Sequence, residues 1–90
     1  MSSFRVIWNN WYGRKQERTL CFLLNCYQRK LEAEVRATHA YGEVDRVEWS
    51  ADGSFCIHLN DGTAEHYIST QQVALIANTF QRHCKVIQLT

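Results

Sequence analysis

Proline is absent from these 90 residues, and no function attaches to that absence. Other gaps exclude more. No run of 18 apolar residues occurs, which removes a membrane-spanning helix from consideration. Met1-Ser2-Ser3-Phe4 has neither the basic start nor the apolar stretch of a secretory signal, so a cytoplasmic chain is expected. Cys21, Cys26, Cys56 and Cys84 include no Cys-x-x-Cys pair, and reduced, half-buried thiols are expected rather than a disulfide framework. No repeat, linker or low-complexity segment is found. Nucleophile, general base, metal ligands and phosphate-binding loop are all without a convincing pattern. The residues therefore specify a scaffold and its leftover surfaces more clearly than a reaction.

What is there supports a single α+β domain over residues 1–90. The apolar share is 46%, with three Trp, four Tyr and four Phe, enough for a compact core. A chain of this size buries only roughly 60 to 65% of its unfolded surface, so that core must be economical. The net charge of +1 conceals a split. Residues 1–41 hold seven Arg and Lys against three acids, whereas residues 42–90 hold three against six. Such asymmetry favours oriented docking or self-association over a uniformly basic grip on nucleic acid.

Phe4, Val6 and Trp8 alternate with Ser3, Arg5 and Ile7, which predicts a first strand ending at Asn9-Asn10. After Trp11-Tyr12-Gly13, a stripe of Leu20, Leu23, Leu24, Tyr27, Leu31, Val35 and Thr38 fits helical spacing. It predicts a helix from Arg14 to Thr38, with Gly42 just beyond it. Two turn signatures follow. Ala51-Asp52-Gly53 as a three-residue hairpin loop sets Trp49 opposite Phe55 and Val47 opposite Ile57. Asp61-Gly62 as a two-residue loop pairs Leu59 with Ala64, Ile57 with His66 and Phe55 with Ile68. In that register Val47, Trp49, Phe55, Ile57, Leu59, Ala64 and Ile68 share the apolar face. Arg46, Glu48, Cys56, His58, Glu65 and Tyr67 share the polar one.

Ser69 and Gln72 fit a capping box, and Val73, Ile76, Ala77 and Phe80 give the stripe of a second helix ending near His83. Lys85 to Leu89 reads as a last strand. The expected order is β-α-β-β-β-α-β: a two-layer α+β sandwich in which two helices flank one face of an antiparallel three-strand meander, with short terminal strands. One mismatch accompanies it. A helix of about 25 residues is about 37 Å long, whereas a six-residue strand spans about 20 Å.

On that long helix Arg18, Phe22, Arg29 and Arg36 would fall within a narrow outer sector, with Lys15 beside them. An exposed ring within a basic strip suits an interface anchor. Trp11 and Tyr12, beside the basic start of the helix, are the other candidate contacts. Arg46, His58 and Glu65 read as a cross-strand ladder. Cys56 and His58 lie two apart on one strand, not in the facing geometry that activates a thiol. No metal site is expected, because His58 and His66 point to opposite faces and Cys21 and Cys26 are about 140° apart on a helix.

The helix-meander-helix order is similar in topology to double-stranded RNA-binding domains. Ser69-Thr70-Gln71-Gln72-Val73-Ala74 is uncharged where such domains are basic, and membership does not follow. The expected function is a small non-enzymatic protein-binding module, an adaptor or inhibitor of the kind found in viruses and mobile elements. It would dock on an acidic partner through Arg18, Phe22, Arg29, Arg36 and Lys15, with Trp11 and Tyr12, and need no cofactor. The alternative is nucleic-acid binding by the same residues, as a dimer whose two long helices pair.

Overall fold

Two Asp-Gly pairs, each followed by a hydroxyl residue, build the same loop twice. In a computed structural model that describes residues 2–90, Ser50 N–H donates to Ser54 O at 2.9 Å, and Leu59 N–H donates to Thr63 O at 2.9 Å. Asp52 Oδ1 accepts Ser54 N–H at 2.9 Å and the Ser54 hydroxyl at 2.8 Å. Asp61 Oδ1 does the same for Thr63, at 2.9 and 2.6 Å. Gly53 and Gly62 both take positive φ, 106° and 90°, a conformation that costs a residue with a Cβ about 1–2 kcal/mol. Gly53 is held there twice over, since an added Cβ would sit 2.8 Å from Thr70 Cα.

The first loop confirms the expected register, with Trp49 opposite Phe55 and Val47 opposite Ile57. The second corrects it. A two-residue type I′ turn needs positive φ at both central residues, but Asp61 does not adopt it. Asn60-Asp61-Gly62 is instead a three-residue loop, and Ile57 faces Glu65 while Phe55 faces Tyr67. The slip of one residue moves every side chain of that strand to the other face. Glu65 and Tyr67 join the core face. Ala64, His66 and Ile68 leave it.

The larger correction concerns residues 14–38. No helix forms there, so the expected sandwich, the α+β class and the long-helix pairing are all overturned. The chain runs β1 (Ser2–Asn9), β2 (Lys15–Phe22), β3 (Cys26–Leu31), β4 (Glu34–Ala40), a 3-10 turn (Tyr41–Glu43), β5 (Val44–Trp49), β6 (Ser54–Leu59), β7 (Ala64–Ile68), α1 (Val73–Gln81) and β8 (Val86–Gln88). One mixed sheet takes the order β4-β3-β2-β1-β7-β6-β5-β8, antiparallel except for β5 and β8. The fold is mostly β, with one α-helix among the described residues.

The same apolar residues explain both readings. Leu20 and Phe22 in β2, then Tyr27 and Leu31 in β3, satisfy a period of two on each side of a turn as well as a period near 3.6 across it. The turn at Leu24-Asn25 contains neither Gly nor Pro, and the next places Glu32 at φ 55° without the usual Gly or Asn. Leu24, assigned to the core stripe by helical spacing, is 84% exposed at a hairpin tip. With strands in place of a long helix, the length mismatch vanishes.

The sheet rolls strongly. The 3-10 turn after β4 reaches the β6–β7 loop, where Asn60 N–H donates to Glu43 O and Asn60 Nδ2 donates to Gly42 O, both at 2.8 Å. Helix α1 closes the curl from inside with Val73, Ile76, Ala77 and Phe80, the stripe expected of it. Phe80 packs edge-on against Phe22 and Tyr27, with ring centroids 4.8 and 5.4 Å apart. The capping box expected at Ser69 and Gln72 is not made, for α1 begins after Gln72 with no side-chain cap.

Candidate functional site

Inward-facing residues of β3, β4 and β7 meet across the curl. Arg29 Nη1 donates to Glu65 Oε2 at 2.8 Å and to the Tyr67 hydroxyl at 3.2 Å. Glu65 Oε1 accepts the hydroxyls of Tyr27 at 2.9 Å and Tyr67 at 3.0 Å. His39 Nε2 lies 3.4 Å from Glu65 Oε2, and His39 Nδ1 lies 3.5 Å from Glu43 Oε1. The side chains of Arg29 and Glu65 are only 11% and 12% exposed. Burial, with Glu65 close by, drives the phenols of Tyr27 and Tyr67 far above their ordinary range, so both act as neutral donors. Burial works against the Arg29 charge, but Tyr67 and Glu65 more than offset it and its pKa is raised.

Trp8 roofs this network. The Arg29 guanidinium carbon lies 3.9 Å from the centre of the Trp8 ring, and that of Arg18 lies 5.3 Å away. An open cleft of about 840 Å³ begins here. Trp8 and Trp11 contribute indole surface to it, with Arg29, His39, Glu65 and His66 among its polar lining.

The β1–β2 hairpin rises beside the cleft and ends in Trp11-Tyr12-Gly13. Asn10 shapes it, since its Oδ1 accepts the N–H groups of Tyr12 at 3.0 Å and Arg14 at 2.9 Å. Trp11 and Tyr12 are 83% and 75% exposed. Their rings stack on each other, with centroids 4.2 Å apart and planes 29° apart. Arg14 and Lys15 are exposed on the same hairpin and make no salt bridge among the described residues.

The sequence-derived site is therefore divided. Trp11, Tyr12 and Lys15 are brought together at the hairpin tip. Arg18, Phe22 and Arg29 are not on an outer face, because in β2 and β3 they point into the curl: Phe22 is 3% exposed and Arg18 is buried. Arg36 joins neither group: it is the exposed extra residue of a β-bulge in edge strand β4, next to Ala37, the register partner of Arg29, and it pairs with Glu34 at 3.0 Å. Helical spacing collected these four residues, and without the helix they share no outer surface. The contributions of Trp8, His39 and Glu65 were missed. The signal for Glu65 was its alternation with Tyr67, hidden by the one-residue register error.

The outer face carries a separate row. His58 Nε2 lies 2.6 Å from Glu48 Oε1, and Arg46 Nε lies 3.5 Å from Glu48 Oε2. Cys56 approaches His66, not His58, with Sγ to Nε2 at 3.9 Å. Burial first, and Glu48 second, push the Cys56 thiol up to about 11, the direction opposite to an activated nucleophile. Glu65, once expected beside His58, is on the other face.

Among the described residues no group of three or more His, Cys, Asp or Glu gathers where it could hold a metal ion. All four cysteines are free thiols, and no described helix is long and apolar enough to cross a membrane. No protein-family model matches the chain, and no curated protein matches it in sequence.

Proposed function

We propose that this chain is a small non-enzymatic protein-binding module that docks on an acidic partner through the tip of the β1–β2 hairpin. The observation that carries the reading is the exposure of Trp11 and Tyr12 on a loop whose neighbouring cations, Arg14 and Lys15, have no carboxylate partner among the described residues. Large aromatics held in water on a rigid hairpin are typical interface anchors, because they bury much area at little entropic cost. Free cations beside them add attraction and orientation toward an acidic surface. Asn10 pre-forms the loop, which lowers the ordering cost of docking.

The test is capture of partners from the source cell by the tagged chain, then measurement of affinity for the captured protein. Trp11→Ala with Tyr12→Ala is expected to lower that affinity at least tenfold while leaving the melting temperature unchanged. Equal affinity for wild type and variant would remove the tip from consideration. The stacked pair beside two cations also favours a second reading, single-stranded nucleic acid. Tight, salt-sensitive binding of an unstructured oligonucleotide that Trp11→Ala abolishes would favour that reading over a protein partner.

A further inference from the structure

We infer that the cleft beneath the hairpin tip is a carboxylate-reading pocket, in which Arg29 takes an acidic side chain of the docked partner while Trp8 and Trp11 cover the apolar residue beside it. This deepens the docking reading above and rests on it.

Unused hydrogen-bonding capacity points to an acceptor ligand. Buried side-chain polar atoms normally find partners, yet the donors Arg18 Nε–H and Arg29 Nε–H have none among the described residues, and neither has the acceptor Asn9 Oδ1. All three belong to Trp8's surroundings: Asn9 follows it in β1, and both guanidiniums lie over its ring. Arg29 makes its bonds through Nη1 alone, to Glu65 and Tyr67. Its Nε and Nη2, the pair that forms a side-on fork for a carboxylate, donate to no group among the described residues.

To a cation the cleft offers less, Asn9 Oδ1 being its one unpartnered buried acceptor among the described residues. Glu65 is its single lining carboxylate, and both of its oxygens are already engaged, Oε1 by two phenols and Oε2 by Arg29 with His39 nearby. Against it stand Arg29 and His39 on the walls, with Arg14 and Lys15 on the adjoining hairpin. The Glu65 bonds hold the guanidinium in place before any ligand arrives. Such pre-organisation is what a specificity contact needs and what a solvated lysine lacks. A partner carboxylate would enter over His39, and since Arg29 Nε is closed to solvent beneath Trp8, the indole must shift to let the fork form. The residue next to it would lie on the indole of Trp11, continuous with the docking tip.

The probe is a pair of capped pentapeptides, Gly-Leu-Glu-Gly-Gly and Gly-Leu-Gln-Gly-Gly, titrated into the full chain and followed by NMR. The glutamyl peptide is expected to shift the Arg29 Nε–H and the indole N–H of Trp8 and Trp11 together. It should bind at least tenfold more tightly than the glutaminyl peptide. Equal affinities for the two peptides would overturn the pocket with no variant needed. Arg29→Met with Glu65→Leu removes both charges at once, so no lone buried ion remains, and it should abolish the preference for glutamate. A surviving preference would also overturn the proposal. Shifts confined to Trp11 and Tyr12 would sink the pocket and spare the docking tip. Loss of the tip's role in partner capture, with Arg29 and Trp8 still responding to the glutamyl peptide, would sink the tip and leave an acid-binding cleft.

Discussion

The two faces of the rolled sheet use the same chemical vocabulary, an arginine, a glutamate and a histidine, and put it to different use. On the inner face Arg29 and Glu65 meet largely out of water, with two phenols completing the set and the half-buried His39 joining from a third strand. On the outer face Arg46, Glu48 and His58 come from adjacent strands and stay near solvent. Geometry alone does not separate them, for the shortest polar contact of the outer set, 2.6 Å, is closer than any in the inner one. Desolvation does. A buried pair cannot lose one member without stranding the other, whereas an exposed pair exchanges its partner for water.

The strongest way to break that comparison is Glu65→Leu. It leaves the Arg29 charge buried under Trp8 and should cost about 3 kcal/mol in denaturant unfolding. Arg29→Met combined with Glu65→Leu should cost much less than Glu65→Leu alone, because no uncompensated charge is left. A loss below about 1 kcal/mol for Glu65→Leu would mean that water reaches the pair freely, and the two faces would no longer differ in kind.

A smaller effect sharpens the contrast. Tyr27→Phe and Tyr67→Phe each remove a hydroxyl that donates to the Glu65 carboxylate, and each should cost about 1.5 kcal/mol. The cost should not survive in a Glu65→Leu background, where the same hydroxyls have lost their acceptor. A double-mutant cycle measures this coupling. Additive losses would show that the hydroxyls contribute independently of the Glu65 carboxylate.

How much of this was legible follows from where the turns are marked. Asp52-Gly53-Ser54 fits a two- or a three-residue loop, and the apolar pattern of the flanking strands selects the three-residue one, so the β5–β6 register could be read. Asp61-Gly62-Thr63 carries the same signature. Reading it as the commoner two-residue turn displaced Glu65 and Tyr67 to the wrong face and concealed the inner network. The first half gave less help. Leu24-Asn25 and Glu32-Ala33 turn the chain without Gly or Pro, so nothing broke the apparent helical stripe from Leu20 to Thr38. Helix α1 and β8 were readable because each is short and has a single period. Trp11, Tyr12 and Lys15 survived as surface residues since a hairpin tip exposes what a helix start would also have exposed. Arg18, Phe22 and Arg29 did not, since their exposure depended on the helix itself. The meeting of β3 and β4 with β7 depends on how far the sheet rolls, a property of the whole fold and not of any local pattern.

The smallest expected effect lies on the outer face. The contact with His58 first, and Arg46 second, hold the Glu48 carboxyl below its usual range. A carboxylate whose folded pKa is depressed contributes stability above its unfolded value of about 4.3 and loses that contribution as pH falls through the folded value. Asp52 and Asp61, lowered by the hydrogen bonds of Ser54 and Thr63, titrate in the same direction. Glu48→Gln should therefore leave stability at pH 7 almost unchanged in moderate salt, since the group is close to solvent and screened. It should make the acid limb slightly shallower below about pH 4.5. Melting curves of the wild type and Glu48→Gln between pH 7 and pH 3, at two salt concentrations, measure both quantities. A loss at pH 7 comparable to that of Glu65→Leu would place the outer row among desolvated networks and make exposure the wrong criterion for separating the faces.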